Sequence, residues 1–401
     1  MLTELTEVIP INNNNFVFLD DILSPMWKFL RYNGLLHGLV PQIEELRLLY
    51  IIRCLSTALI IVLVLNLGTF EFTQLIIAIQ NRKSITEISF NVMMSALCLT
   101  AIIFFHQFYT KHSQLVRFFK EFKQLEMLFL YHCNQNKSEK IKKVVKVFFF
   151  HSLVSHVILT LYVNYISPEE PIFFSHYGNL HAGPTLFFLE LIFAVSSYFT
   201  FVAFLLSGII PPIVFYQAGC MIENLTQDLL YSFTPYLNQP SVQLKNENIY
   251  RLIWKKYESI QDLINRANQL FGVVILNFQL TILFLACFHI HQVIIFDDKF
   301  SPVYLKLFTF VYMAVIVIVS NLLYSHLYLC CGDLKSAVAG LLSRNWQLLS
   351  HEHRSLLMSF LIHLDGADLA GRPLNLYTIN PTNLPRVFQL LISYVIVLLQ
   401  L

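Results

Sequence analysis

The sequence predicts an all-α polytopic membrane protein with seven transmembrane helices. The amino terminus is expected in the cytosol and the carboxyl terminus outside, with long cytosolic helical extensions forming an anchor region. Composition is the first reason: of 401 residues, 56% are hydrophobic and 13% charged, and the mean hydropathy of +0.59 lies outside the range of ordinary globular chains. The second is a series of apolar runs near the roughly 20 residues a bilayer-spanning helix needs. The third is the distribution of Lys and Arg between the runs.

The first unit, 1–48, holds no span. Met1 to Asp21 carries acidic residues and an Asn run but no basic stretch followed by an apolar core, so no cleavable signal peptide is expected. Trp27 to Pro41 is too short and too interrupted to cross, and reads as an interfacial or re-entrant helix.

The second unit, 49–330, is a six-helix transmembrane bundle. Its runs are about Leu49 to Leu67, Ile88 to Phe108, Val147 to Ile166, Pro184 to Phe215, Phe271 to Phe296 and Val303 to Leu329. The fourth contains Gly208 and the pair Pro211-Pro212, which predict a kink or an end near Ile210.

Orientation follows from the basic residues. Lys111, Arg117, Lys120, Lys123, Lys137, Lys140, Lys142 and Lys143 lie between the second and third runs; Lys245, Arg251, Lys255, Lys256 and Arg266 lie between the fourth and fifth. The alternate loops hold only Arg82, Lys83 and Lys299, so the basic loops are placed inside. All seven Cys fall in spans or predicted cytosolic segments, where disulfides are rare. The sequons at Asn136 and Asn224 also fall inside and should go unused.

The cytosolic segments are amphipathic. Ile249, Leu252, Ile253, Tyr257, Ile260, Leu263, Ile264, Ala267 and Leu270 recur at three and four, which carries the fifth helix about six turns below its span. In the third unit, 331–383, Leu341, Leu342, Leu348, Leu349, Leu356, Leu357, Phe360 and Leu361 repeat the pattern. Such stripes are buried either within one subunit or between subunits.

The fourth unit, 384–401, is the last helix. Stepping about 100° per residue, Arg386, Gln389, Ser393 and Gln400 fall on one stripe with Ile396 between them, while Leu391, Val395, Leu398 and Leu399 cover the back. Polar groups are costly in hydrocarbon, so the stripe faces either neighbouring helices or a water-filled path. One such helix cannot enclose a pore. Several copies around an axis can, with a ring of Gln400 near the outer mouth and rings of Ile396 or Val397 that gate by dewetting.

The end of the chain also resembles a known signature. Ser393-Tyr394, five apolar residues from Val395 to Leu399, then Gln400-Leu401 is similar to the closing motif of insect gustatory receptors: Thr-Tyr, five hydrophobics, Gln-Phe. Pro373 to Asn380 is similar to that family's approach to its last helix. The resemblance implies a tetrameric ligand-gated cation channel whose last helix lines a central pore, at the plasma membrane of chemosensory neuron dendrites. It implies a small-molecule tastant as ligand, membrane lipids as surroundings, and homo- or hetero-tetramers with other gustatory subunits. Tyr394 carries over as the motif tyrosine, Gln400 as the pore-mouth polar residue, and Leu401 stands in the place of the gating aromatic. Sugar-sensing members place an acidic residue after the motif tyrosine; here that residue is Val395, which points to bitter compounds.

The outer halves of the spans hold His156, Tyr162, Tyr165, Glu190, Ser197, Tyr198, His289, Gln292, Tyr304 and Tyr312, which together suit an amphipathic ligand pocket. Each taken alone also suits an interhelical hydrogen bond or the interfacial aromatic belt. His351-Glu352-His353 lacks the spacing of a helical metalloprotease site, and no Walker loop, nucleophile elbow or metal-ligand cluster appears. No enzyme activity, cofactor, metal or nucleic-acid partner is expected. The alternatives to a channel are a metabotropic seven-helix receptor, which would need its basic loops on the other side, and a secondary transporter, which would need paired broken helices.

Overall fold

The computed structural model describes residues 18–32, 47–83, 85–129, 135–161, 184–238, 247–295, 303–347, 349–366 and 369–383, and in the last helix 385, 386, 389, 390, 392, 393 and 396. The described residues form α1 (Leu19–Tyr32), α2 (Arg47–Gln80), α3 (Ile85–Thr110), α4 (His112–Met127), α5 (Gln135–Leu161), α6 (Pro184–Asn238), α7 (Glu247–Ile295), α8 (Val303–Asn345) and α9 (His351–Gly366). A single 3-10 turn, Pro373–Asn375, and the C-terminal helix follow. Among them α2, α3, α6, α7 and α8 each contain a segment long and apolar enough to cross a membrane.

The helix α6 is the axis of the bundle, packing against α8, α7, α3, α2, α5 and α1. Every residue from 202 to 222 is buried. A helix that is apolar on all sides belongs in a protein core or a membrane span, and this stretch of α6 is enclosed by its neighbours. It does not end near Ile210, but runs through Pro211-Pro212 to Asn238. Pro212 has no N–H to give the carbonyl of Gly208, and the Ser320 hydroxyl of α8 donates to that carbonyl instead, at 3.2 Å. Gly208 itself lies under the Phe278 ring of α7; a Cβ there would come within 2.3 Å of the ring edge.

Helix boundaries differ from the apolar runs elsewhere too, most clearly in α2 and α5. The second helix continues past Leu67 to Gln80 and carries Glu71 as a buried residue, and α5 begins at Gln135, well before Val147. In both, polar residues interrupt the apolar run without interrupting the helix. The turn at Asn81 to Lys83, with Arg82 at φ 49°, then reverses the chain.

The amino-terminal helix starts earlier than Trp27, at Leu19, where Asp20 and Asp21 occupy the first turn and suit its positive end. Its apolar face, Ile22, Leu23, Met26, Trp27 and Leu30, is buried in the main core, with Trp27 edge-on to Phe119 of α4 at 4.8 Å. The Leu19 N–H donates to the Glu126 carboxyl at 3.0 Å, tying α1 to α4. Residues 33–41 of the Trp27 to Pro41 stretch lie outside the described residues.

The amphipathic stripes are buried within the chain itself. Ile253, Tyr257, Ile260, Leu263, Ile264, Ala267 and Leu270 of α7 belong to the core, as do Leu341, Leu342, Leu349, Leu357 and Phe360. Phe360 of α9 packs on Trp254 at 5.3 Å and on Tyr257 at 5.5 Å, and His363 meets the Gln261 side chain at 3.1 Å. Leu252 of α7 stays exposed, as do Met358 and Ile362 on the outer face of α9.

Candidate functional site

The segment that delivers the C-terminal helix is fixed by hydrogen bonds rather than by regular structure. Asn268 of α7 holds it at two points: its amide donates to the Ala370 carbonyl at 3.0 Å, and its carbonyl accepts the Arg372 N–H at 2.6 Å. The chain then reverses through Leu374 (φ 49°) and Asn375 (φ 59°), and the Ile379 N–H returns to the Gly371 carbonyl at 2.9 Å. Asn380 accepts from the Thr382 N–H at 3.0 Å, closing an Asx turn over Pro381. Pro385 stands at the entry to the last helix, where its fixed φ suits a first turn and its missing N–H costs nothing.

Every described side chain on that helix is uncovered. Arg386, Gln389 and Ser393 of the polar stripe are exposed, and the apolar Leu390, Ile392 and Ile396 are 51%, 60% and 50% exposed. Ser393 donates to the Gln389 carbonyl of its own helix at 2.9 Å. Tyr394, Val397, Gln400 and Leu401 lie outside the described residues.

Behind the helix lies a cavity of about 550 Å³, bounded by α7, α8 and the approach segment. Gln279, Ser320, Asn321, Asn380, Asn383 and Arg386 supply its polar lining. Tyr324, fully buried on α8, also lines it, and its hydroxyl has no hydrogen-bond partner among the described residues.

The residues proposed from sequence for a ligand pocket are dispersed over several helices. Tyr312 of α8 is half-buried, hydrogen-bonded to Ser152 of α5 and stacked on Phe148 at 5.9 Å. A second, apolar cavity of about 140 Å³ lies against Phe148, Phe204, Gly208 and Ile316. Ser197 and Tyr198 are half-buried on α6, and His289 is buried on α7 beside Phe288. The side chains of His156, Glu190, Gln292 and Tyr304, and the whole of Tyr162 and Tyr165, lie outside the described residues.

Two features have no local sequence signature. Thr100 of α3, Asn277 and Thr281 of α7 form a polar knot, with Asn277 donating to Thr100 and the two threonine hydroxyls 2.7 Å apart. Cys220 and Glu223 of α6 meet His326 and Cys330 of α8, residues separated by about a hundred positions. Spacing within one segment reveals neither, because each forms only when two helices pack.

The likeness to known proteins agrees with this architecture. The sequence profile described as 7tm Chemosensory receptor matches residues 23–401. The structure of the insect olfactory receptor OR5 from Machilis hrabei superposes with a TM-score of 0.69 at 15% identity, covering 95% of this chain and 100% of that one. The same receptor in complex with eugenol gives a TM-score of 0.63 at 16% identity, again with 95% and 100% coverage. No curated protein matches the chain by sequence.

Proposed function

The chain belongs to the 7tm chemosensory receptor family, and from that premise we propose that it is a gustatory receptor acting as a ligand-gated, non-selective cation channel. Seven spans, an inward amino terminus and a tetrameric assembly at the plasma membrane complete the reading, with the C-terminal helix of each subunit around a common pore.

The observation that carries it is the uncovered last helix. Its polar and apolar described residues are exposed together, with Leu390, Ile392 and Ile396 each at least half uncovered. A spanning helix with a charged and amide-bearing stripe is unstable against lipid and finds shelter where copies meet around water. In that arrangement Gln389 and Ser393 line the path, Ile396 forms an apolar ring, and Gln400 and Leu401 follow toward the outer mouth. Neutral polar rings discriminate little among cations, in keeping with a non-selective pore.

The ligand is a small tastant, a bitter compound rather than a sugar, since Val395 stands where sugar-sensing members carry an acid. Its site is assigned to the outer halves of the spans, with His156, Tyr162, Tyr165, Glu190, Ser197, Tyr198, His289, Gln292, Tyr304 and Tyr312 as candidate contacts. Tyr312 is the anchor of this set because its ring and hydroxyl are already held by Phe148 and Ser152. The olfactory receptor of like fold is known with eugenol bound, which supports a small organic ligand here.

The test is whole-cell current from cells expressing the chain, challenged with bitter compounds and sugars while G-protein signalling is blocked. A rapid ligand-evoked cation current is expected. A response abolished by the block would replace the channel with a metabotropic receptor.

A further inference from the structure

We propose that Cys220, Glu223 and His326 form a Zn²⁺-binding site that clamps α6 to α8.

The Nε2 atom of His326 is the centre of the constellation. Cys220 Sγ lies 3.8 Å from it and Glu223 Oε2 3.9 Å, whereas Cys330 Sγ stands 3.6 Å from Nε2 and 3.7 Å from Nδ1, against the ring and off the lone pair of either nitrogen. The ligand atoms of Cys220, Glu223 and His326 all lie within 4.8 Å of one another. Zinc–sulfur bonds of about 2.3 Å and zinc–nitrogen bonds of about 2.0–2.1 Å at a tetrahedral angle place sulfur and nitrogen about 3.6 Å apart. The Cys220 thiol already sits close to that spacing. The carboxylate needs to approach the imidazole by roughly half an ångström, and water takes the fourth position.

The backbone explains why three donors converge. Cys220 and Glu223 are three apart on α6, and His326 and Cys330 four apart on α8, so each helix presents its pair on one face. Gly219 lets the faces close: a Cβ there would lie 3.0 Å from the Leu327 Cα. Tyr216 stacks on the His326 ring at 4.5 Å and 24°, fixing its plane. The donor set of one thiolate, one imidazole and one carboxylate suits Zn²⁺ over Mg²⁺ or Ca²⁺, which take oxygen ligands. Both cysteines are buried while His326 and Glu223 reach solvent, which leaves an entry path. Metal bound in this way resists separation of the helices and stabilises the folded chain by mass action.

The experiment uses the purified full-length chain in detergent, reduced, stripped with chelator and titrated with Co²⁺ as a spectroscopic probe for Zn²⁺. The expected result is one equivalent per chain giving thiolate-to-cobalt charge-transfer absorption and tetrahedral ligand-field bands, both lost on adding Zn²⁺. Cys220→Ser should abolish the thiolate bands, His326→Ala should weaken Co²⁺ binding by more than about tenfold, and Cys287→Ser on α7 should leave them intact. Absence of thiolate bands in the wild-type chain overturns the proposal without recourse to any variant, and so do thiolate bands that survive Cys220→Ser. Zn²⁺, unlike Mg²⁺, should raise the melting temperature of the wild-type chain; equal effects of the two ions count against the clamp.

Discussion

Glu126 shows how one residue couples a buried charge to the fold. Burial lifts its carboxyl to about 8; the Leu19 N–H and the Gln217 side chain pull it down, and Asp20 and Asp21 push it up. The folded chain therefore keeps a proton that the unfolded chain releases near 4.5. The stability this confers is complete below about 4.5 and is lost as the pH rises through about 8. Glu126→Gln keeps an acceptor for the Leu19 N–H and removes the titration. The melting temperature of the variant should fall less than that of the wild type between these two pH values, and parallel curves would show that the carboxyl is ionised in the fold. No local signal marks Glu126 in the sequence, because its burial depends on α1 folding back from 107 residues away. Asn224 is the opposite case: its sequon is legible, and the structure adds that its side-chain amide is buried and donates to the Phe129 carbonyl at 3.4 Å, which leaves it inaccessible in the fold. At the ligand end, Tyr312→Phe removes the hydroxyl that meets Ser152. The dose-response curve for an active tastant should shift to higher concentration with surface expression unchanged, and an unmoved curve would remove Tyr312 from the pocket.

Among the elements, α6 carries the clearest lesson. Gly208 and Pro211-Pro212 are legible as a weak point, but the helix survives it because Ser320, 112 residues away, takes the carbonyl that Pro212 leaves open. Ser320→Ala strands that buried carbonyl and should cost about 1–3 kcal/mol, read as a lower melting temperature in detergent. An unchanged melting temperature would mean that the carbonyl is satisfied elsewhere. Gly208→Ala drives a methyl into the Phe278 ring and should destabilise by roughly 1–3 kcal/mol through overpacking. The apolar runs located α2, α3, α7 and α8 by length alone, yet not their ends. Glu71 interrupts the run of α2 without ending the helix, because neighbouring helices bury it. The stripes of α7 and α9 were legible as faces to be buried, and the structure assigns most of each to the chain's own core.

For the whole molecule, the contrast between the first and last parts of the bundle organises the account. The middle of α6 is sealed from 202 to 222, whereas the C-terminal helix offers its polar and apolar described residues to the outside. The sequence marked this stripe, since helical periodicity needs only local spacing. In the proposed assembly other copies of the chain cover it, and that has no local signal. A single chain that ends in such a helix is an incomplete object, so the purified protein should migrate in mild detergent as an assembly several times the 46.7 kDa of one chain. A stable monomer would separate the stripe from any pore. The central claim, that this helix lines a gated path, is tested most directly by recording whole-cell currents from a tastant-responsive cell line carrying Ile396→Ser. A hydroxyl in place of the apolar ring wets the constriction, so the account predicts a raised ligand-independent cation current at unchanged surface expression. Basal and evoked currents indistinguishable from wild type would contradict it and place the stripe against neighbouring helices.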